Sequence, residues 1–226
     1  YNLGLLYQNG EGVKQNYSKA IEYYKKSSEL NNSKAFIYLG RLYEKGFGVV
    51  KDLLLAKYYY EKSSQLNEPE AFISLGNLYE KGLGVKQDYL LAKEFYEKSS
   101  KLNEPEAFIS LGHLYEKGLG VEQNYLLAKE FYEKSSLFNN DVAFICLGKL
   151  YEKGLGVKQN YLLAKYCYQI ASNHNNPLAH FYLGNFYSND ELDEIDIQKS
   201  IEYYLKSIQI PNGRYIEIDA GIPIKK

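Results

Sequence analysis

The segment LYEKGLGVKQDYLLAKEFYEKSS, from Leu78 to Ser100, is repeated almost letter for letter from Leu114 to Ser136. It returns in part between Leu150 and Lys165. Residues 68–103 and 104–139 differ at only five of 36 positions, so the chain contains an internal repeat. A period of roughly 20–50 residues is typical of arrays in which one small structural unit is stacked many times.

Glycine and alanine positions fix the period of this repeat at 36 residues throughout the chain. The single glycines that mark it are Gly4, Gly40, Gly76, Gly112, Gly148 and Gly184. A glycine pair, Gly82 and Gly84 in the best-preserved copy, recurs at the same interval, as does Ala92. Because the interval never changes, no repeat contains an insertion.

Each repeat is predicted to form two helices joined by a glycine-rich turn. Pro69 suits a first helical turn, and Ala71 and Leu75 lie on one face of the helix that follows. Gly82 ends this first helix as a left-handed cap, and Asp88 is a good N-cap for the second helix. Neither helix can bury its apolar stripe alone, so neighbouring hairpins are expected to stack.

Composition limits the classes of function. The chain has 226 residues, 45% apolar and 24% charged, which is typical of a folded protein. A net charge of -1 gives no bulk attraction to nucleic acid, and no apolar run approaches the ~20 residues of a membrane span. We expect a cytoplasmic protein, with the endoplasmic reticulum lumen as the alternative, and we predict no cofactor. The oligomeric state stays open.

The stretch AFISLGNLYEKGLGVKQDYLLAKEFYEKSS resembles the Sel-one-like repeat family, a relative of tetratricopeptide repeats. The motif falls on Ala71, Leu75, Gly76, Tyr79, Gly82, Gly84, Val85, Asp88, Ala92, Tyr96, Lys98, Ser99 and Ser100. The resemblance covers roughly residues 1–210 and implies an all-α fold, an α/α superhelical solenoid of two-helix repeats with right-handed, tetratricopeptide-like stacking. It also implies an adaptor or scaffold for protein complexes.

Six repeats and a tail are expected, and the two ends depart from the motif. The predicted boundaries are 1–34 (partial repeat 1), 35–70, 71–106, 107–142, 143–178, 179–210 (degenerate capping repeat 6) and 211–226 (tail). Tyr1 aligns with Ile37, which suggests a fragment of a longer solenoid or a trimmed chain. In the sixth repeat Asp190 and Leu192 replace the glycine pair, and Ser200 replaces the alanine. The tail is expected to be a short extended segment or frayed.

Two positions of the first helix vary between otherwise similar repeats, three residues apart and hence on one helical face. A lysine row lies one turn further on. We predict that these residues line a concave groove that binds a protein or peptide, with an acidic segment as one possible ligand. The predicted partner-binding residues are Tyr38, Arg41, Lys45, Ser74, Asn77, Lys81, Ser110, His113, Lys117, Cys146, Lys149 and Lys153. The alternative is that these positions are exposed to solvent and that their residue types vary because nothing constrains them.

For the remaining candidate sites, we favour a structural role of the residues over a binding or metal site. The tyrosine rows that contain Tyr79 and Tyr96 favour core packing over a recognition strip. The acidic run from Asp190 to Asp196 lacks the ligand spacing of a calcium loop, and the three histidines do not match metal spacing, so no metal site is predicted. For Cys146 and Cys167, we favour two free, buried thiols over a disulfide across one hairpin.

The function favoured by the sequence is a non-catalytic scaffold. No nucleophile with a general base, and no pair of carboxylates, stands out from the repeat background, so we predict no enzyme and no catalytic residue. Two alternatives stay open: a regulatory or targeting region of a longer chain, such as one linked to a kinase or an adaptor for degradation in the endoplasmic reticulum, and a hydrolase of the cysteine-rich secreted type.

Overall fold

The computed structural model describes residues 1–189 and 195–208, and these contain twelve α-helices and no β-strand. Odd-numbered helices are the first helices of the repeats and even-numbered helices are the second. They are α1 (Asn2–Asn9), α2 (Tyr17–Ser28), α3 (Ser33–Lys45), α4 (Leu53–Ser64), α5 (Pro69–Lys81), α6 (Tyr89–Ser100), α7 (Pro105–Lys117), α8 (Tyr125–Ser136), α9 (Asp141–Lys153), α10 (Tyr161–Asn173), α11 (Pro177–Ser188) and α12 (Ile197–Ile208). The predicted all-α solenoid of two-helix repeats is confirmed.

The chain forms two compact units, residues 1–131 and 132–226. In the first unit α1 packs on α2, α3 on α4 and α5 on α6, and α2, α4 and α6 pack on the first helix of the next repeat. In the second unit α9 packs on α10, α10 on α11, and α11 on α12. Within each unit a second helix is therefore shared between its own hairpin and the following one.

The predicted helix ends are confirmed in the third repeat. Gly82 caps α5 with φ 66° and ψ 33°, a left-handed conformation that glycine adopts without strain. The Asp88 side chain accepts a hydrogen bond from the backbone N–H of Leu91 at 3.0 Å and so caps α6. The second glycine of the turn packs between repeats: a Cβ on Gly120 would lie 2.5 Å from Cβ of Tyr89.

The turn between successive repeats contains a feature that the sequence analysis missed. One asparagine per repeat adopts a left-handed conformation, with φ between 56° and 60°. Asparagine is among the few residues other than glycine that tolerate this region. A recurring asparagine without an adjacent glycine was the available signal. These residues are Asn31, Asn67, Asn103, Asn139 and Asn175.

One tyrosine per repeat fills the centre of each hairpin and explains the single glycine of the motif. The ring of Tyr96 is completely buried, and a Cβ on Gly76 would lie 2.3 Å from its Cε1 atom. The same contact joins Gly40 to Tyr60. Core packing is thus confirmed for the buried tyrosine row, Tyr60, Tyr96, Tyr132 and Tyr168. In the other row, Tyr79 is half-buried and stacks on Phe95 with ring centroids 5.7 Å apart.

The sixth repeat keeps the hairpin but replaces several parts of it. Asp196 caps α12 by accepting from the backbone N–H of Lys199 at 2.9 Å. Ser200, which stands in the alanine position, is buried and donates to the carbonyl of Gly184 at 2.9 Å. The positions predicted to replace the glycine pair, the rest of the acidic run and the tail lie outside the described residues.

Candidate binding face of the first helices

The predicted partner-binding residues lie along the first helices of both units, and they divide into exposed and half-buried positions. The exposed ones are Arg41, Lys45, Lys81, Lys117 and Lys153. The half-buried ones are Tyr38, Ser74, Asn77, Ser110, His113, Cys146 and Lys149. The lysine row is therefore more accessible than the first of the two variable positions. We call this surface, taken within each unit by itself, the first-helix face.

The first variable position packs over the buried tyrosine of the preceding repeat. Tyr38 stacks on Tyr24 with ring centroids 5.3 Å apart, and Tyr182 stacks on Tyr168 at 5.0 Å. Where the position is a serine, Ser74 donates to the backbone carbonyl of Glu70 at 2.9 Å. The variation at this position therefore changes how neighbouring repeats pack, in addition to what a partner would meet.

The second variable position makes polar contacts between repeats. Nη2 of Arg41 on α3 lies 2.8 Å from Oε2 of Glu70 on α5, the first helix of the following hairpin. Nδ1 of His113 lies 3.7 Å from Oε1 of Glu80, which belongs to the preceding repeat. In the second unit, the Lys149 ammonium lies 5.0 Å from the ring centroid of Tyr182, close enough for a cation–π interaction. These side chains already have partners within the chain.

A row of acceptors next to the lysines was missed by the sequence analysis. The single O–H group of Tyr96 is shared between two acceptors, Oε2 of Glu80 at 2.6 Å and Oδ1 of Asn77 at 2.8 Å. Burial raises the pKa of Tyr96 far above its usual value, and the bond to Glu80 raises it further. Equivalent bonds join Tyr60 to Glu44 and Tyr168 to Glu152. The recurring Tyr-Glu-Lys triplet in the sequence was the available signal.

The lysine row is the most available positive charge on the first-helix face. Among the described residues, Lys45, Lys81 and Lys153 form no ion pair. Lys117 is also exposed, but its Nζ lies 3.0 Å from Oε1 of the adjacent Glu116. Each lysine is the last residue of a first helix, where the helix dipole favours a cation.

The opposite ends of α5 and α7 are acidic. Burial raises the pKa of the Glu104 carboxyl, and the neighbouring charges of Glu106, Glu70 and Glu68 raise it further. A helix of 13 residues is about 20 Å long, so in the first unit the acidic end and the lysine row are separated by that distance. On α5 and α7, the first-helix face therefore has opposite charge at its two ends.

Within residues 1–189 and 195–208, no group of three or more His, Cys, Asp and Glu side chains could hold a metal ion. Both cysteines are free, as predicted; Cys167 is buried and burial raises its pKa to about 11, but Cys146 is only half-buried. His174 pairs with Asp141, with Nδ1 2.5 Å from Oδ1. No helix in the described ranges is long and apolar enough to span a bilayer.

Comparisons with known proteins identify the repeat. The family model described as "Sel1 repeat" matches residues 1–32, 33–68, 69–104, 105–137, 147–176 and 177–209. A Sel1 repeat protein from Oxalobacter formigenes is 29% identical, with a TM-score of 0.84 over 91% of this chain and 84% of that protein. No curated protein sequence matches the chain.

Two further solved structures are similar. The protective antigen c5321 of uropathogenic Escherichia coli, which displays an SLR fold, is 31% identical, with a TM-score of 0.75. The match covers 92% of this chain but only 44% of the antigen. The immunity protein Pa5087 from Pseudomonas aeruginosa is 26% identical, with a TM-score of 0.61 over 84% of this chain and 73% of that protein.

Proposed function

Because this chain belongs to the Sel1 repeat family, whose members are generally protein-interaction scaffolds, we propose that it is a non-catalytic scaffold that binds a partner protein along the first-helix face. The likeness to the immunity protein Pa5087 is consistent with a protein partner. The observation that carries the proposal is the row of exposed lysines, one in each of the second to fifth repeats, in which Lys45 and Lys81 have no ion-pair partner among the described residues.

An acidic, extended segment of the partner fits this row best. Unpaired ammonium groups bind carboxylates through charge-assisted hydrogen bonds, and in the first unit a segment that crosses the second to fourth repeats meets one lysine in each. The amide N–H groups of Asn77 form no hydrogen bond within the described residues and add donors, because its Oδ1 accepts from Tyr96. Arg41 contributes less, since its guanidinium is paired with Glu70.

Charge reversal in the first unit tests the proposal. The row variant combines Lys45→Glu, Lys81→Glu and Lys117→Glu. The control variant combines Lys14→Glu, Lys51→Glu and Lys86→Glu, which are exposed lysines in the turns between the two helices of a repeat. Both variants change the net charge equally and neither removes a buried side chain, so a difference in binding reports on the location of the charge.

Affinity capture from an extract of the native cells, followed by mass spectrometry, provides the measurement. We expect the wild-type chain and the control variant to capture the same proteins, and the row variant to lose them. Because exposed charges are screened by salt, capture should also weaken as the ionic strength rises. Equal capture by the row and control variants, or no specific capture by the wild-type chain, would contradict the proposal.

A further inference from the structure

The lysine row of the first unit has the period of the repeat, and that period sets a distance. Lys45, Lys81 and Lys117 are the last residues of α3, α5 and α7. Each step from one lysine to the next therefore equals the step from one first helix to the next. All three lysines belong to the first unit. A ligand that contacts all three has to match this step.

Successive first helices of this unit lie side by side and run in the same direction. Near the first residues, Oγ of Ser33 on α3 donates to Oε2 of Glu68, the N-cap of α5, at 2.7 Å. Near the last residues, Oε1 of Glu80 on α5 lies 3.7 Å from Nδ1 of His113 on α7. Helices whose side chains touch have axes about 8–10 Å apart, so the lysine-bearing ends are separated by about 10 Å per step.

A polyproline II helix matches this step. It has three residues per turn and rises about 3.1 Å per residue, so residues i, i+3 and i+6 lie on one side at intervals of about 9.3 Å. In a β-strand the residues on one side are about 6.6 Å or 13 Å apart, and neither distance equals the step. An α-helix matches only at every seventh residue, over about 10.5 Å. The distance therefore leaves two conformations for the ligand.

The polar groups beside the row favour the polyproline II helix over the α-helix. Asn77 precedes Lys81 by one helical turn, and its amide N–H groups form no hydrogen bond within the described residues. An α-helix uses its own backbone carbonyls internally, whereas a polyproline II helix has no internal hydrogen bonds and leaves its carbonyls free to accept. Only the polyproline II helix therefore offers acceptors to Asn77 along its whole length.

The charges around the row determine how an acidic ligand lies on it. Glu70 and Glu106, in the first turns of α5 and α7, repel an acidic ligand that lies along a helix. Beside the lysines, Glu80 already accepts from the hydroxyl of Tyr96 at 2.6 Å. A ligand that crosses α3, α5 and α7 at their last turns meets one lysine on each and stays away from the acidic ends.

We infer that the first-helix face of the first unit binds a partner segment in the polyproline II conformation, with an acidic residue at every third position. Three carboxylates of this segment bind Lys45, Lys81 and Lys117, and the amide of Asn77 donates to its backbone. Lys117 exchanges its solvated pair with Glu116 for a carboxylate of the partner. The inference rests on the proposed function and adds the conformation and spacing of the partner's motif.

Rigid, fluorescently labelled peptides with blocked termini test the spacing. Each contains three glutamates, separated by one, two or three prolines: EPEPE, EPPEPPE and EPPPEPPPE. Proline holds all three in the polyproline II conformation, and all three have the same charge. Fluorescence anisotropy with the full chain measures the dissociation constants. We expect EPPEPPE to bind at least about fivefold more tightly than the other two, because only its glutamates reach all three lysines from one side.

A double-mutant cycle locates the segment on the row. The central glutamate of EPPEPPE lies over Lys81 whichever way the peptide runs. Its replacement by glutamine and Lys81→Gln should therefore have non-additive effects on the dissociation constant. Lys86→Gln is the matched control, because Lys86 is an exposed lysine in the turn that follows α5. Its effect should be additive with that of the peptide substitution.

Four results would overturn the inference. Equal binding of the three peptides, lost in the row variant, would leave an acidic partner on this face without the spacing. Tighter binding of a stapled α-helical peptide with glutamate at every seventh residue would assign the face to an α-helix. Additive effects of Lys81→Gln and the peptide substitution would place the segment elsewhere. The fourth is an absence of saturable binding by any peptide, and the capture experiment then decides separately whether the proposed function stands.

Discussion

The third and sixth repeats share a hairpin built around one glycine and one tyrosine, but the burial and the hydrogen-bond acceptor of the tyrosine differ. Tyr96 is completely buried and donates to the charged acceptor Glu80. Tyr204 is half-buried and donates to the neutral acceptor Asn185 at 2.7 Å. The glycine contact is therefore the part of the motif that the hairpin needs, whereas burial and the charged acceptor contribute additional stability.

The largest expected effect comes from Gly76→Ala. The new Cβ would lie 2.3 Å from Cε1 of Tyr96, and that ring is fully enclosed and cannot move aside. We expect a loss of about 2–3 kcal/mol in the free energy of unfolding, although alanine favours a helix over glycine by about 1 kcal/mol. Thermal unfolding and amide hydrogen exchange of α5 provide the measurement.

Gly184→Ala is the matched control for that substitution. Its Cβ would lie 2.6 Å from Cδ1 of Tyr204, but this ring is partly exposed and can rotate outward. The loss should stay below about 1 kcal/mol. If the two glycine variants lose the same stability, the difference in tyrosine burial between the two repeats is irrelevant to the packing.

Tyr96→Phe removes the hydroxyl but keeps the ring. Glu80 and Asn77 lose a donor, and since the side chain of Glu80 is only 16% exposed, water replaces that donor poorly. We expect a loss of about 1–2 kcal/mol, against about 0.5 kcal/mol for Tyr204→Phe. Urea unfolding of both variants measures the difference. Equal losses would show that the charged acceptor adds nothing.

The loss of folding stability at alkaline pH gives an independent test of the environment of Tyr96. Because burial, and then Glu80, raises its pKa above 10, folded Tyr96 keeps its proton where the unfolded chain loses it. The stability of the folded state therefore falls as the pH rises above about 10. Tyr96→Phe should make this decline shallower. An unchanged slope would mean that Tyr96 titrates alike in the folded and unfolded chain.

His180→Phe restores in the sixth repeat the residue that stands at this position in the second to fifth repeats, and it should stabilise the chain. His180 is 7% exposed, and its Nδ1 atom is buried without a hydrogen bond. Removing an unsatisfied buried polar atom is worth about 1–2 kcal/mol. Thermal unfolding at neutral pH measures the gain, and a lower melting temperature for the variant would contradict it.

The pH dependence of the melting temperature tests whether the buried imidazole of His180 is the cause of this gain in stability. Burial, and then the charge of Lys206, lowers the pKa of His180, so the unfolded chain binds a proton that the folded chain does not. Stability is therefore present above the unfolded pKa of 6.5 and declines as the pH falls below it. Melting temperatures from pH 7 to about pH 5 should fall less for His180→Phe than for the wild-type chain.

The fold could be predicted because the residues that cap the two helices recur in most repeats. Gly82 and Asp88 are unambiguous caps, and their recurrence at 36 residues gives the same prediction several times. The left-handed Asn103 could not be recognised as easily, since asparagine is common in the segments that flank helices and no glycine stands beside it. Local backbone hydrogen bonds from Asn103 and Glu104 to the carbonyls of Ser100 and Ser99 form that turn, and asparagine permits a left-handed conformation without requiring it.

The candidate face was predicted only in outline. Comparison of the repeats identifies positions such as Arg41 that the core does not require, but it does not show what each side chain contacts. Glu70 is 29 residues from Arg41, and Glu80 is 16 residues from Tyr96, so both pairs depend on tertiary packing. The same packing leaves Lys45 and Lys81 without an ion-pair partner among the residues that the structure describes, and no count of charges along the sequence separates them from Arg41.

The smallest expected effect comes from Arg41→Asn, which gives the second repeat the residue that the third and sixth repeats carry as Asn77 and Asn185. The Arg41 side chain is 45% exposed, so its pair with Glu70 is largely solvated. Such pairs contribute about 0.5 kcal/mol or less. The melting temperatures of the two chains should differ slightly at low ionic strength and coincide near 1 M salt, where the Debye length is about 3 Å. A difference that persists in high salt would instead assign the stability to packing of the guanidinium on the ring of Tyr38, 5.5 Å away.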